Sequence, residues 1–304
     1  MSLVYIQDAA GKNITLQDVD GRLYPTFNPD FIRGVSSLKL RDDDVILCSF
    51  PKSGTHWSFE ICRLLLNGRL DIDIIPKGCL FADSVPESEL NKLDSPRIIN
   101  THVRFDRLPS DVKTKKPKIV YIRRNPKDVA VSFYNHTRKM EHYHYDGEFK
   151  DYLPLFSDRE VAYGSWFEYV LEWEKIIANN QELTILEITF EDLKEDPIRE
   201  IRRMSDFLGV QRNEDFIDEI RDFCNFSTMK DRFRDKMKIK DGHNIFYRKG
   251  EVGDWKNWFT VAQNDWFDRI YEKKMADSKL KFKYTLNQDY DMFYLFLENS
   301  LLLS

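Results

Sequence analysis

The 304-residue sequence is 42 % hydrophobic and 32 % charged, with a formal net charge of -5. That is core material for one large α/β domain or two small ones, without the basic surplus a nucleic-acid-binding surface requires. No run of about 18 apolar residues offers a membrane-spanning helix, and the N-terminus lacks the basic-then-apolar pattern of a secretory signal.

In chain order, the first strand-like run is "DVILCSF" (44–50), which ends in the turn "PKSGTH". Beyond it, Trp57, Ile61, Leu64 and Leu65 recur at i, i+4, i+7 and i+8, one apolar helical face. "RIINTHV" (97–103) and "KIVYIRR" (118–124) read as further strands. "NPKDVAVSFYNH" then supplies a helix start, with Asn125 ahead of Pro126. An amphipathic helix is expected over 165–177, a strand over 182–190, and a second helix over 195–209 closed by Gly209. Apolar runs alternating with helices predict a parallel sheet with right-handed crossovers, and ligands of such sheets bind beyond the carboxyl ends of the strands. There is no internal repeat or low-complexity linker, so residues 1–304 are expected to form a single domain. Cys48, Cys62, Cys79 and Cys224 lie scattered in apolar contexts without CxxC spacing. They read as buried free thiols, and the expected compartment is the reducing cytoplasm.

A strand, a glycine-containing turn and a helix direct backbone N–H groups and the positive end of a helix dipole at one spot. In "PKSGT", Ser53 and Thr55 add hydroxyls, Gly54 the turn, and Lys52 a mobile charge. This is a phosphate cradle or a polar turn capping a helix, and it is not the Walker form, because the lysine precedes the glycine. Two further segments favour the cradle. Arg124 at a strand end, with Ser132 about two turns into the next helix, suits a second phosphate. Arg248, Lys249 and Gly250 make an anion nest in a loop that also contains Gly253. Three anion sites in a non-basic chain imply a ligand with more than one phosphate-like group.

The order PKSGTxW, THxxxxxLP, RNPKDVAVSF and RKGxxGDWK resembles the cytosolic sulfotransferase family over about residues 25–285. The resemblance implies an α/β domain with a central parallel sheet flanked by helices and a P-loop-like phosphosulfate loop. It also implies a donor, 3′-phosphoadenosine-5′-phosphosulfate (PAPS), and no metal. Lys52, Ser53, Gly54, Thr55, His56 and Trp57 then hold the 5′-phosphosulfate and adenine side, with Trp57 stacking on the base. Arg124, Ser132, Arg248, Lys249 and Gly250 hold the 3′-phosphate, and Phe190, Cys224, Phe226, Met229 and Phe246 complete the donor site. His102 falls on the family's catalytic histidine. An imidazole, with its ordinary pKa near 6.5, suits a base that activates a hydroxyl or amine at neutral pH. Lys52 would stabilise charge growing on the leaving group.

The sequence departs from the family pattern at four places. His56 replaces the second threonine of PKSGTTW, where a ring N–H still donates to an anion but with a charge that depends on pH. Asn100 stands where many members carry lysine, Phe190 where tyrosine is usual, and Cys224 where threonine is common. The last two changes remove hydrogen bonds to the adenine and leave stacking. The abundant aromatic residues suit a flat or apolar alcohol as acceptor, with Phe81, Asn100, Phe105, His142, His144 and Phe149 as candidate pocket residues. His142 and His144 fit a solvated loop equally well, and His136 and His243 are read as carrying no chemistry. Lys256, Thr260, Val261 and Asp265 resemble the family's KxxxTVxxxE dimerisation segment, and residues 287–304 extend past the usual terminus. An ATP-dependent P-loop kinase would need a Walker lysine and an acidic Mg²⁺ ligand, neither of which stands at the expected place. The remaining alternative is a PAP- or PAPS-binding protein of the same fold with impaired catalysis, against which the retention of Lys52 and His102 counts.

Overall fold

The computed structural model describes residues 2–72, 80–158, 161–234 and 247–286. The chain opens with an antiparallel meander that the sequence reading did not anticipate: β1 (Ser2–Gln7), β2 (Asn13–Val19) and β3 (Arg22–Tyr24), paired in sequence order. Helix α1 (Pro29–Ser37), capped by the Asn28 side chain, leads into β4 (Val45–Ser49) and α2 (Thr55–Asn67). The short α3 (Glu87–Leu90) precedes β5 (Ile98–Thr101), and α4 (Val112–Lys115) precedes β6 (Lys118–Arg123). After α5 (Pro126–Lys139), α6 (Phe149–Asp158) and α7 (Trp166–Asn179) comes β7 (Ile185–Thr189). The remaining helices are α8 (Phe190–Glu195), α9 (Pro197–Leu208), α10 (Glu214–Phe223), α11 (Phe226–Arg232) and α12 (Val261–Lys274).

The four expected strands form one parallel sheet in the order β5-β4-β6-β7, with Val45 opposite both Ile98 and Lys118. Every residue of β4 is buried. Its pleat sends Ile46 and Cys48 into one hydrophobic core and Val45 and Leu47 into another, so the sheet carries a core on each face. At the lower end of β4, Asp44 and Arg97 form a fully buried pair, 2.5 Å from Oδ2 to Nη2, that ties the entrances of β4 and β5.

Several element boundaries differ from expectation, two of them because a side chain caps the helix that follows. The strand over 182–190 ends at Thr189, whose side chain accepts from the Asp192 amide and caps α8, so Phe190 is helical. The expected helix over 195–209 starts at Pro197, because Asp196 caps it by accepting from the Arg199 amide; Gly209 closes it in the left-handed region, as expected.

Helices set the position of the site. The buried residues of α2 pack into the same core as Val45 and Leu47, whereas those of α5 pack into the opposite core. Adjacent parallel strands β4 and β6 therefore send their helices to opposite faces, which opens a crevice at their carboxyl ends. Cys48, Cys62 and Cys224 are buried free thiols, and Cys79 lies outside the described residues. No helix among the described residues is long and apolar enough to cross a membrane.

Candidate active site

The crevice holds a cavity of about 390 Å³. Its floor is the turn after β4, where Lys52 and Gly54 take positive φ, 70° and 105°. Gly54 caps α2 with backbone alone, so the positive end of the helix dipole opens onto the cavity. No other residue fits there, since a Cβ on Gly54 would lie 2.8 Å from the Phe190 ring. Lys52, Gly54, Thr55, His56 and Trp57 line the cavity. Ser53 sits directly behind them, fully buried, its hydroxyl without a hydrogen-bond partner.

A second wall comes from β6 and α5. Arg124 donates from Nη1 to the Lys52 carbonyl (3.3 Å) and from Nη2 to the Glu251 carbonyl (2.7 Å), so it clamps two cavity loops together. Its guanidinium lies 4.0 Å over the Phe190 ring. Asp128 holds the third loop, accepting from the Gly253 amide (2.8 Å) and the Trp255 amide (3.0 Å). Within that loop Arg248 and Lys249 both reach Asp254, at 2.6 and 2.5 Å. Burial alone would raise the Asp254 carboxyl, but hydrogen bonds from Lys249, Asn257 and Arg248 hold it at about 2. Gly250, with φ 68°, presses its backbone against Phe226; an added Cβ would overlap that ring. Both cavity glycines thus sit edge-on to an aromatic ring, Phe190 or Phe226.

The cations converge strongly enough to perturb one another. Burial, and then the nearby Arg124, Arg248 and Lys139, pull the Lys52 ammonium down to about 7. Burial also lowers Arg124, against the opposing pull of Asp128 and Glu191. An anion in the cavity relieves this repulsion. The paired glycines, the buried hydroxyl of Ser53 and the clustered cations fit an anionic ligand with two charged ends.

His102 stands one residue past the end of β5. Its backbone N–H donates to Asp83 Oδ2 (3.1 Å), and Asp83 also accepts a short hydrogen bond from the Thr101 hydroxyl. Ring Nδ1 lies 2.7 Å from the Ser49 carbonyl, and the Ser49 hydroxyl reaches Thr55 Oγ1 at 2.6 Å, linking the imidazole to the first turn of α2. Phe81 and Tyr163 flank the ring at centroid distances of 4.9 and 5.4 Å.

The structure gathers most of the sequence-predicted residues in this one cavity. Arg124, Ser132, Arg248, Lys249 and Gly250 line it, as do Phe190, Cys224, Phe226 and Met229, and so do His102, Phe81 and His142. Phe246 and His243 lie outside the described residues. Besides Ser53, which lies behind the cavity wall, four candidates are not among the lining residues. Asn100 is fully buried within β5, with neither side-chain amide atom hydrogen-bonded. Phe105 packs edge-on against Trp173 at 5.6 Å, in a 3-10 turn. Phe149 is enclosed by Tyr134, Trp258 and Phe259. His144 closes the turn Glu141–Tyr143 with φ 48° and is exposed.

Sequence reasoning missed other lining residues. His136 follows Ser132 at i+4 on α5, and Met140 caps the end of that helix; all three line the cavity. Lys194 follows Phe190 at i+4 on α8 and places its ammonium 5.6 Å over the Trp57 ring. The spacing was legible in both cases; which helix face meets the cavity was not. Among the described residues there is no cluster of His, Cys, Asp or Glu that could hold a metal.

The family described as Sulfotransferase domain matches residues 42–279. Canine sulfotransferase 1B1 is 36 % identical over 261 residues, which cover 80 % of this chain and 87 % of that protein. Human sulfotransferase 1C2 is 34 % identical over 291 residues, 90 % of this chain and 96 % of that protein. Among solved structures, mouse sulfotransferase SULT7A1 complexed with PAP superposes with a TM-score of 0.73 at 33 % identity, covering 86 % of this chain and 96 % of that one.

Proposed function

The chain belongs to the sulfotransferase family, and from that premise we propose that it transfers the sulfuryl group of PAPS to a hydroxyl or amine of a small-molecule acceptor. The donor supplies an activated sulfuryl group with a phosphate leaving group. One observation carries the reading: a single cavity brings His102 together with Lys52 and both sets of anion-binding residues. Lys52, Thr55 and the amino end of α2 would hold the phosphosulfate. Arg124, Ser132 and the Arg248–Gly250 loop would hold the 3′-phosphate, and Trp57, Phe190 and Phe226 would enclose the base.

The carbonyl of Ser49 can only accept a hydrogen bond, so its contact with Nδ1 supports a neutral imidazole protonated there. Nε2 then carries the lone pair that removes the acceptor's proton. Lys52, recharged by the bound anion, stabilises negative charge where it develops on the leaving oxygen. Lys256, Thr260, Val261 and Asp265, at and before the exposed first turn of α12, support a homodimer built on that surface.

A thermal-shift titration with adenosine 3′,5′-bisphosphate (PAP), 5′-AMP and ATP tests the donor site. A ligand at 100 times its dissociation constant stabilises by about 2.7 kcal/mol, a rise of roughly 4 °C for a domain of this size. Selective stabilisation by the bisphosphate, followed by sulfation of a phenol with PAPS, supports the reading. An equal response to all three nucleotides, or none to the bisphosphate, overturns it.

A further inference from the structure

The acceptor end of the cavity contains a polar atom with nothing to bond. His142 Nε2 is buried and has no hydrogen-bond partner, although the ring lines the cavity. Its neighbours are aromatic: Tyr143 at a centroid distance of 4.3 Å and Phe27 at 6.0 Å. From His102 the rings run in an unbroken series, 4.9 Å to Phe81, 6.2 Å from Phe81 to Phe27, and 6.0 Å from Phe27 to His142. An aromatic wall therefore has an imidazole at each end. Phe133, Met140 and Tyr163 also line the cavity and are largely apolar.

We propose that His142 is a specificity-determining residue of the acceptor site, its Nε2 hydrogen-bonding a hydroxyl or carbonyl carried by the acceptor at the end remote from the reacting group. This rests on the reading of the cavity given under the proposed function. The wall favours a flat, apolar body, and the reacting hydroxyl must lie at His102. An acceptor with a polar group only at that end leaves Nε2 buried and unpaired, which is the costly state. A site built around a buried polar atom rejects the analogue that lacks the partner far more strongly than an apolar pocket rejects an extra methylene. Burial, and then the neighbouring His144, pull the His142 imidazolium down to about 4, so the ring is neutral in ordinary buffers. A neutral ring pairs with a hydroxyl in either tautomer and gives no advantage to a carboxylate.

The test compares p-phenylphenol with p,p′-biphenol, which differ only in the distal hydroxyl. Binding to PAP-loaded protein is measured by calorimetry, and sulfation with PAPS as kcat/KM, for wild type, His142→Leu and His142→Asn. Wild type is expected to prefer the biphenol by about tenfold to a hundredfold, the cost of stranding a buried polar group. In His142→Leu the ratio of the two acceptors falls to near unity, while His142→Asn keeps part of it. The comparison is of ratios between proteins, so the statistical advantage of two hydroxyls cancels. A wild type without preference, or a His142→Leu that retains it, overturns the assignment of His142. Failure to bind PAP or to sulfate either phenol overturns instead the donor-site reading beneath it.

Discussion

His102 Nδ1 lies 2.7 Å from the carbonyl oxygen of Ser49, the last residue of β4, and 3.3 Å from the hydroxyl of the same residue. One strand end thus orients the imidazole, while the turn that follows it supplies Lys52. Removing the ring should separate chemistry from binding. His102→Ala is expected to lower the transfer rate by about 10² to 10⁴, the usual contribution of a positioned base, and to leave PAP affinity within a few-fold of wild type. Rapid-quench transfer assays and PAP calorimetry check this, and wild-type rates across several phenols would remove the base assignment.

The pH dependence of donor binding should follow Lys52. Its ammonium is held at about 7 in the free protein by burial and then by Arg124, Arg248 and Lys139. A bound anion favours the charged form and raises that value. Between the free and bound values the complex holds more protons than the free protein, so binding takes up a proton and affinity falls as pH rises above about 7. Below about 7 the lysine is already charged and the dependence from this group vanishes. Calorimetry of PAP binding at pH 8, in buffers of different ionisation enthalpy, should register the uptake in wild type and lose it in Lys52→Met. A pH-independent affinity between 7 and 9 contradicts the expectation.

The parallel sheet was legible because β4 and β6 are buried on both faces and read as continuous apolar runs. The meander was not, since β1 is largely exposed and gives no run of buried residues. The loops that meet at the cavity were equally plain, because glycine, hydroxyl and cation at the ends of strands mark such turns in sequence. The proposed acceptor residues were half legible. Asn100 stands two residues before His102, a spacing that keeps two side chains on one face of a strand, but β5 ends at Thr101 and the alternation does not carry across. Phe105 and Phe149 have the right chemistry, and only tertiary packing against Trp173 and Trp258 takes them away from the cavity. His136 was dismissed because a lone histidine says nothing about which helix face looks inward.

Gly250 should tolerate no side chain. Its φ of 68° is left-handed, and a Cβ would overlap the Phe226 ring, a wall of the cavity that we propose encloses the base. Gly250→Ala is expected to cost about 1 to 2 kcal/mol for the backbone alone. The collision would displace Phe226 and weaken PAP binding by more than tenfold. Chemical denaturation and PAP titration separate the two effects. If the variant binds PAP as wild type does, the contact between Gly250 and Phe226 does not shape the donor site.

The proposed dimer can be tested without touching the cavity. Thr260 and Gln263 form a reciprocal capping box that fixes the first turn of α12, and Val261 projects from it 80 % exposed. Asp265 follows at i+4 on the same face, and Lys256 lies exposed just upstream. In a two-fold interface each residue meets its complement on the other copy, so Lys256 of one protomer would face the partner's Asp265 while the two Val261 side chains meet. Val261→Glu puts like charges at that centre and is expected to give a monomer in light scattering at concentrations where wild type is a dimer. Lys256→Glu or Asp265→Lys alone should also dissociate it, and the two together should restore it. A wild type that is monomeric, or a double variant that stays apart, removes this pairing and leaves Val261 as an isolated exposed side chain.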